Sequence, residues 1–157
     1  MTVLLQILII GLVATLVADA WGLARKPLLG VPPPDYRPVG RWILRMASGR
    51  FASAGETAAG WAVHYLIGVL FAVAMVLAAG RDWLATPTIL PALIFGVGTV
   101  AAPFLLLQPA MGLGFAGSRT ARPWATRLQS LATHAAFGLG LYAGARVAAL
   151  VSAFSAS

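Results

Sequence analysis

Residues 2–24 read TVLLQILIIGLVATLVADAWGLA, and this stretch decides the fold class. Asp19 is its only charged residue, and a helix of this length, at about 1.5 Å per residue, crosses a hydrocarbon core about 30 Å thick. Three apolar runs of similar length follow, at about residues 58–80, 88–111 and 128–153. The alternating ten-residue segments of membrane β-barrels do not occur in the sequence. We therefore predict an all-α, four-transmembrane-helix bundle that forms a single integral membrane domain over residues 1–157.

The composition agrees with a lipid environment and excludes a water-soluble domain. Hydrophobic residues make up 60% of the chain and charged residues 10%, whereas soluble proteins average roughly 45–50% and about 25%. The sequence contains no cysteine, which excludes disulfides and thiolate-ligated metal clusters. Its net charge of +7 comes mainly from the connections between the apolar runs. We therefore expect the lipid bilayer, and no nucleic acid, as the partner of these basic residues.

The distribution of basic residues predicts the orientation in the membrane. The connection between the second and third spans holds only Arg81, which Asp82 offsets. The positive-inside rule therefore places the first and third loops in the cytoplasm and both termini outside. We interpret the first span as a retained helix, because no basic region precedes it as in a signal peptide. The basic residues of the first and third loops and of the start of the fourth span are Arg25, Lys26, Arg37, Arg41, Arg45, Arg50, Arg119, Arg122 and Arg127.

The first loop contains the pattern of a short amphipathic helix. Pro38 can open a helix, and four apolar residues then recur at helical spacing, while Arg41 and Arg45 share the other face. This pattern predicts a helix that lies in the cytoplasmic interface, with its arginines near anionic headgroups. A lid over a site between the spans is the alternative. The four apolar residues are Val39, Trp42, Ile43 and Met46.

Each span carries one strongly polar side chain in its cytoplasmic half, and these four residues are the main candidates for a functional site. An unpaired charge at membrane depth costs at least about 2.5 kcal/mol, so Asp19 should be neutral or paired, and histidines are available as partners. Such a cluster can carry protons, bind a solute or bind a divalent metal. A satisfied polar network that fixes the helix register is the structural alternative. The four residues are Asp19, His64, Gln108 and His134.

The two histidines share a spacing, His64-x-x-x-Gly68 and His134-x-x-x-Gly138. In a simple bundle the second and fourth spans are diagonal, so histidines at equal depth could serve as the axial ligands of a haem. Arg119 or Arg127 could then meet the propionates. This spacing therefore keeps haem open as a cofactor, beside a divalent metal.

Small residues and prolines predict how the spans pack. A stripe of small residues on the fourth span suggests a homo-oligomer or contact with a larger membrane complex. Pro103 and Pro109 each remove a backbone donor and predict a bend in the third span. The stripe is formed by Ala132, Ala136, Gly140 and Gly144.

The loop after the third span holds Gly112-x-Gly114-x-x-Gly117, which formally matches a dinucleotide-binding fingerprint. That fingerprint requires a preceding strand and a following acidic residue. Here an apolar helix precedes the glycines, and no acidic residue follows Asp82, so we interpret the motif as a turn.

No pair of a nucleophile and a general base stands out in the sequence, and catalysis is the least supported function. The residues expected to contact anions or lipid phosphates at the cytoplasmic face are Arg41, Arg45, Ser118, Arg119, Thr120 and Arg122.

Several motifs together resemble an uncharacterised family of small bacterial four-span membrane proteins, classed only as a domain of unknown function. They include Val39-Gly40-Arg41-Trp42, His64-Tyr65 with Gly68, Gln108-Pro109-Ala110-Met111-Gly112, Ser118-Arg119-Thr120, and residues 131–142, LATHAAFGLGLY. The resemblance covers nearly the whole chain. It implies a location in the bacterial inner membrane and no established activity.

These observations leave three functions open. A small binding or transport module that uses the polar residues of the four spans is the preferred hypothesis. A haem- or metal-binding redox protein is the second, and a non-catalytic accessory subunit of a larger membrane complex is the third.

Overall fold

The computed structural model describes residues 1–48 and 55–154, and within these residues every regular element is a helix. Four of the described helical segments are long and apolar enough to cross a membrane, which confirms the prediction of an all-α membrane bundle. Arg50, one of the basic residues of the first loop, lies outside the described residues. The four segments are α1 (Val3–Leu29), α3 (Glu56–Ala79), the third span (Ile89–Ala110) and α7 (Pro123–Phe154).

The first span extends beyond the apolar run that predicted it. Helix α1 continues through Arg25 and Pro27 and ends at Leu29. Gly30 follows in the left-handed conformation (φ 67°), and its N–H bonds to the carbonyls of Arg25 and Lys26. Glycine adopts this conformation without the steric cost that a side chain would add. Arg25 is therefore held on a helix rather than in a loop.

The third span is interrupted where its two prolines predict a bend. Helix α5 (Ile89–Gly98) is followed by a π-helical turn (Pro103–Leu107) and the short helix α6 (Gln108–Ala110). The Thr99 carbonyl, which Pro103 deprives of its usual donor, accepts a bond from the N–H of Ala102 at 3.1 Å instead. The N–H of Gln108 bonds to the carbonyl of Pro103, five residues back. Turns of this kind within helices are frequently found at functional sites, and this one ends at Leu107, directly before Gln108.

Helix α1 lies in the middle of the bundle. It packs against α3 on one side and against α7 on the other, and α5 packs on α7, while few contacts join α3 to α5. The contact with α7 uses small residues, because a Cβ added at Gly140 or Gly144 would overlap the backbone of Ala14 or Ile10. Half of the small-residue stripe of the fourth span is thus covered by α1 within one chain. Contact with a second chain or a larger complex remains a prediction.

The amphipathic segment of the first loop forms helix α2 (Arg37–Ser48), as the pattern predicts. It crosses the start of α3 so closely that a Cβ added at Gly40 would overlap the backbone of Glu56. Arg41 also pairs with the Glu56 carboxylate through two hydrogen bonds, of 2.9 and 3.0 Å. The apolar face of α2 is divided, because Val39 is buried whereas Trp42 and Met46 are exposed. The remaining described elements are α4 (Arg81–Ala85) and a 3₁₀ turn (Phe115–Gly117).

Candidate functional site

The centre of the candidate site is the Asp19 carboxylate, on the buried face of α1. Its Oδ1 atom lies 2.9 Å from Nε2 of His64 and accepts a hydrogen bond from the hydroxyl of Tyr36 at 3.2 Å. Its Oδ2 atom accepts a hydrogen bond from the hydroxyl of Tyr65 at 3.0 Å. Three partners therefore converge on one carboxylate, which satisfies a group that would be costly to bury alone.

Aromatic rings fix the position of the His64 imidazole. The Tyr36 ring stacks on it, with 4.0 Å between the ring centroids and 21° between the planes. Trp61 meets Tyr36 edge-on at 4.8 Å. Trp61, His64 and Tyr65 recur at i, i+3 and i+4 on α3, so one face of that helix supplies three rings. The imidazole is thus held in one orientation toward Asp19.

Tyr36 reaches the site from the loop between α1 and α2, and the sequence analysis did not single it out. The segment before α2 packs on both neighbouring helices, since a Cβ at Gly22 would press on the Pro34 ring and one at Gly60 would overlap the Tyr36 backbone. Burial, and then the nearby Asp19 carboxylate, raise the pKa of Tyr36 above its usual value. In the sequence, the signal that could have indicated Tyr36 was its position between the proline run of residues 32–34 and the amphipathic helix.

His134 has its own partner on the third span. Its Nδ1 atom lies 2.7 Å from the Thr99 hydroxyl, which is also 2.6 Å from the Gly96 carbonyl. The hydroxyl has a single proton, so donation to the carbonyl leaves its oxygen to accept from Nδ1–H. Gly96 and Gly138 let α5 and α7 approach closely here, because a Cβ added at Gly96 would overlap the Gly138 backbone.

Gln108 is buried beside α7 and only partly bonded. Its Nε2 atom lies 3.5 Å from the Ser130 hydroxyl, at the limit of a hydrogen bond, and Oε1 has no partner within residues 1–48 and 55–154. The structure therefore brings Asp19 and His64 together and gives His134 and Gln108 partners on the α5–α7 side. None of the hydrogen bonds between described residues links these two groups.

Metal and haem ligation depend on side chains meeting at one place. Among residues 1–48 and 55–154, no three histidine, aspartate or glutamate side chains are grouped so that they could hold a metal ion. Nε2 of His64 is engaged by Asp19. Nε of Arg127, a residue expected near haem propionates, donates to the Ala116 carbonyl at 3.0 Å. The described residues thus give no support to either cofactor.

The glycine-rich loop after the third span is a turn, as its context predicts. Gly112, Gly114 and Gly117 all have positive φ angles, of 79°, 72° and 66°. The Thr120 hydroxyl donates to the Gly117 carbonyl at 2.7 Å. Of the residues expected to contact anions, Arg41 is paired with Glu56, Arg45 is exposed on α2, and Ser118, Arg119 and Arg122 are exposed in this loop.

Comparison with known proteins gives information on the family of the chain but not on its activity. No curated protein and no solved structure is detectably similar to this chain. The model of one family, described as "Protein of unknown function (DUF2938)", matches residues 8–148. With nine-tenths of its length matched by that model, the chain belongs to the DUF2938 family.

Proposed function

We propose that this is a multi-pass protein of the bacterial cytoplasmic membrane, with both termini outside. The uneven distribution of lysine and arginine between the loops supports this orientation. In this orientation α2 lies at the cytoplasmic interface, with the exposed Trp42 and Met46 available to lipid. The Asp19–His64 pair then lies in the cytoplasmic half of the membrane.

We further propose that the protein is a small binding or transport module in which Asp19 and His64 hold an exchangeable proton. The single observation that carries this proposal is the 2.9 Å contact between Oδ1 of Asp19 and Nε2 of His64. An imidazole gains and loses a proton near neutral pH, and a carboxylate beside it balances the charge of the imidazolium. With the proton bound the pair is neutral. When the proton leaves, the remaining negative charge of the carboxylate is stabilised by the hydrogen bonds from the Tyr36 and Tyr65 hydroxyls.

The two side chains of the pair differ in how far they are exposed at the surface of the protein. The His64 side chain is 22% exposed, whereas that of Asp19 is 11% exposed. In this proposal the imidazole, as the more exposed of the two groups, exchanges the proton, and the carboxylate lies deeper in the protein. The hydroxyls of Tyr36 and Tyr65 contact the same carboxylate and offer further proton positions. In this proposal Gln108 and His134 are additional polar groups of the module, on the α5–α7 side.

The test is proton movement into vesicles that contain the purified protein. A pH gradient is imposed across the membrane, and the fluorescence of internally trapped pyranine reports the internal pH. We expect wild-type protein to accelerate equilibration over empty vesicles, and His64→Ala to reduce the rate to that of empty vesicles. His134→Ala should also abolish the effect if His134 belongs to the same path.

A matched control removes a polar contact at the other end of the bundle. Gln6 on α1 donates to the Ser152 hydroxyl at 3.0 Å, so Gln6→Ala removes an interhelical bond without touching the site. This variant should conduct protons as wild type does. If His64→Ala and His134→Ala conduct as wild type and only lose thermal stability, the polar residues are structural and the proposal is wrong.

A further inference from the structure

Arg25 is a buried cation that has no hydrogen-bond or ion-pair partner among the described residues. It lies in the last two turns of α1 and is only 8% exposed. Its Nε atom has no hydrogen-bond partner, and no ion pair or hydrogen bond joins its side chain to any residue in the described ranges 1–48 and 55–154. A buried guanidinium with no counter-charge is costly, and native structures rarely retain one.

A second unpartnered donor lies one turn before Arg25. The indole Nε1 of Trp21 is buried and has no acceptor in the part of the chain that the structure describes. Residues four apart on a helix project from the same side, with about 5–6 Å between their Cβ atoms. Both side chains on this side of α1 therefore carry a buried N–H group that lacks an acceptor among the described residues.

The chain has no carboxylate left to supply that acceptor. Its sequence contains four acidic residues. Asp19 is occupied by His64 and two tyrosine hydroxyls, while Asp35 pairs with Arg37 and Glu56 pairs with Arg41. The fourth, Asp82, follows the opposite end of α3 from Glu56, beyond a helix of about 35 Å. Among the described residues, none of these carboxylates forms an ion pair with Arg25, so a counter-charge in contact with its guanidinium must come from outside the chain.

We propose that Arg25 and Trp21 form a binding site for a phosphate group. Arg25 lies just past the apolar part of α1, where a membrane span meets the headgroup region. A guanidinium presents several donors in one plane and binds phosphate oxygens in pairs, and basic pockets at the ends of spans bind lipid headgroups. The phosphate belongs either to an anionic lipid or to a free anion. The Arg25 charge acts on Tyr36, which contacts Asp19, so the two sites lie near each other. The test of the phosphate site does not depend on proton movement.

The experiment follows thermal unfolding of the purified protein in a phosphate-free detergent. Short-chain phosphatidylglycerol is titrated in one arm and inorganic phosphate in the other. We expect wild type to gain thermal stability with one of these probes, and that arm identifies the source. Arg25→Gln should weaken the apparent affinity by at least about tenfold, because it removes the charge and the paired donors.

Two further variants separate binding from folding. Lys26→Gln removes the same charge from the adjacent, exposed residue of α1, so its affinity should match that of wild type. Trp21→Phe keeps an aromatic ring and removes the N–H, so it should weaken binding even if Arg25→Gln fails to fold. The proposal is overturned if neither probe stabilises the wild type, or if Trp21→Phe and Arg25→Gln respond as Lys26→Gln does.

Discussion

At the scale of single residues, Asp19 shows how a charged group is accommodated inside an apolar helix. Its partners come from two other parts of the chain: Tyr36 from the first loop, and His64 and Tyr65 from α3. A hydrogen bond to an ionised group contributes about 1.5–3 kcal/mol to stability. The carboxylate therefore joins the first loop to two spans, whatever its role in proton exchange.

Replacement of Tyr36 by phenylalanine tests this arrangement through its pH dependence. Burial and Asp19 raise the pKa of the folded Tyr36, whereas in the unfolded chain it ionises near pH 10. The stability it provides is therefore complete below about pH 10 and is lost as the pH rises further, because the unfolded state ionises first. We expect Tyr36→Phe to lower Tm at pH 8 and to flatten the fall in Tm between pH 9 and 11.

The comparison for this variant is Tyr142→Phe, since the Tyr142 hydroxyl accepts a bond from the exposed Arg146 instead of contacting Asp19. An equal fall of Tm with pH in wild type and Tyr36→Phe would show that Tyr36 does not bond to Asp19 in solution. Differential scanning fluorimetry over this pH range makes the measurement.

At the scale of elements, close helix crossings decide which polar groups meet. The Thr99–His134 bond exists because Gly96 and Gly138 let the backbones of α5 and α7 come together beside it. In membranes such small-residue crossings replace the hydrophobic effect, because lipid chains are as apolar as leucine. The π-helical turn that follows then redirects the chain before Gln108.

Two glycines on the third span provide a matched pair for this crossing. A Cβ at Gly96 would overlap the Gly138 backbone, whereas one at Gly98 meets nothing within 4 Å. We expect Gly96→Ala to lose about 1–3 kcal/mol of unfolding free energy, as overpacked sites do. Gly98→Ala should be neutral or slightly more stable, because alanine favours a helix. Equal stability of the two variants, measured by thermal unfolding in detergent, would contradict the crossing.

At the scale of the whole molecule, α1 is the element on which the others assemble. Both α3 and α7 pack against it, and α5 joins mainly through α7. Many of the buried side chains are small or polar, beside large apolar ones such as Ile10 and Leu141, while many other large apolar side chains, such as Leu77 (79% exposed), point outward. This distribution reverses that of a soluble protein and leaves the apolar surface to lipid.

The proposed orientation can be tested by cysteine labelling, since the natural sequence contains no cysteine. Thr86 and Ser118 are exposed residues in the second and third loops. In intact bacterial cells we expect a membrane-impermeant maleimide to label Thr86→Cys and to label Ser118→Cys only after lysis. The reverse pattern would place the termini in the cytoplasm, and labelling of both or neither would contradict four crossings.

The sequence by itself determined the helices, because apolar length and proline position act locally. The four apolar segments, the α2 pattern around Trp42 and the interruption near Pro103 all follow from neighbouring residues. It also identified Asp19, His64, Gln108 and His134 as the strongly polar residues of the spans. It could not indicate that Tyr36 would contact Asp19, since that contact depends on the path of a loop.

Only the tertiary structure decided how the polar residues are distributed. Asp19 lies on the face of α1 toward α3, while Gln108 and His134 lie where the third span meets α7. Depth along a helix can be counted from the sequence, but the neighbour that each face meets is set by glycine crossings between segments far apart in the chain. The same reason applies to Arg25. The sequence predicts it in a basic loop, whereas the packing of the bundle buries it, and no described residue forms an ion pair with it.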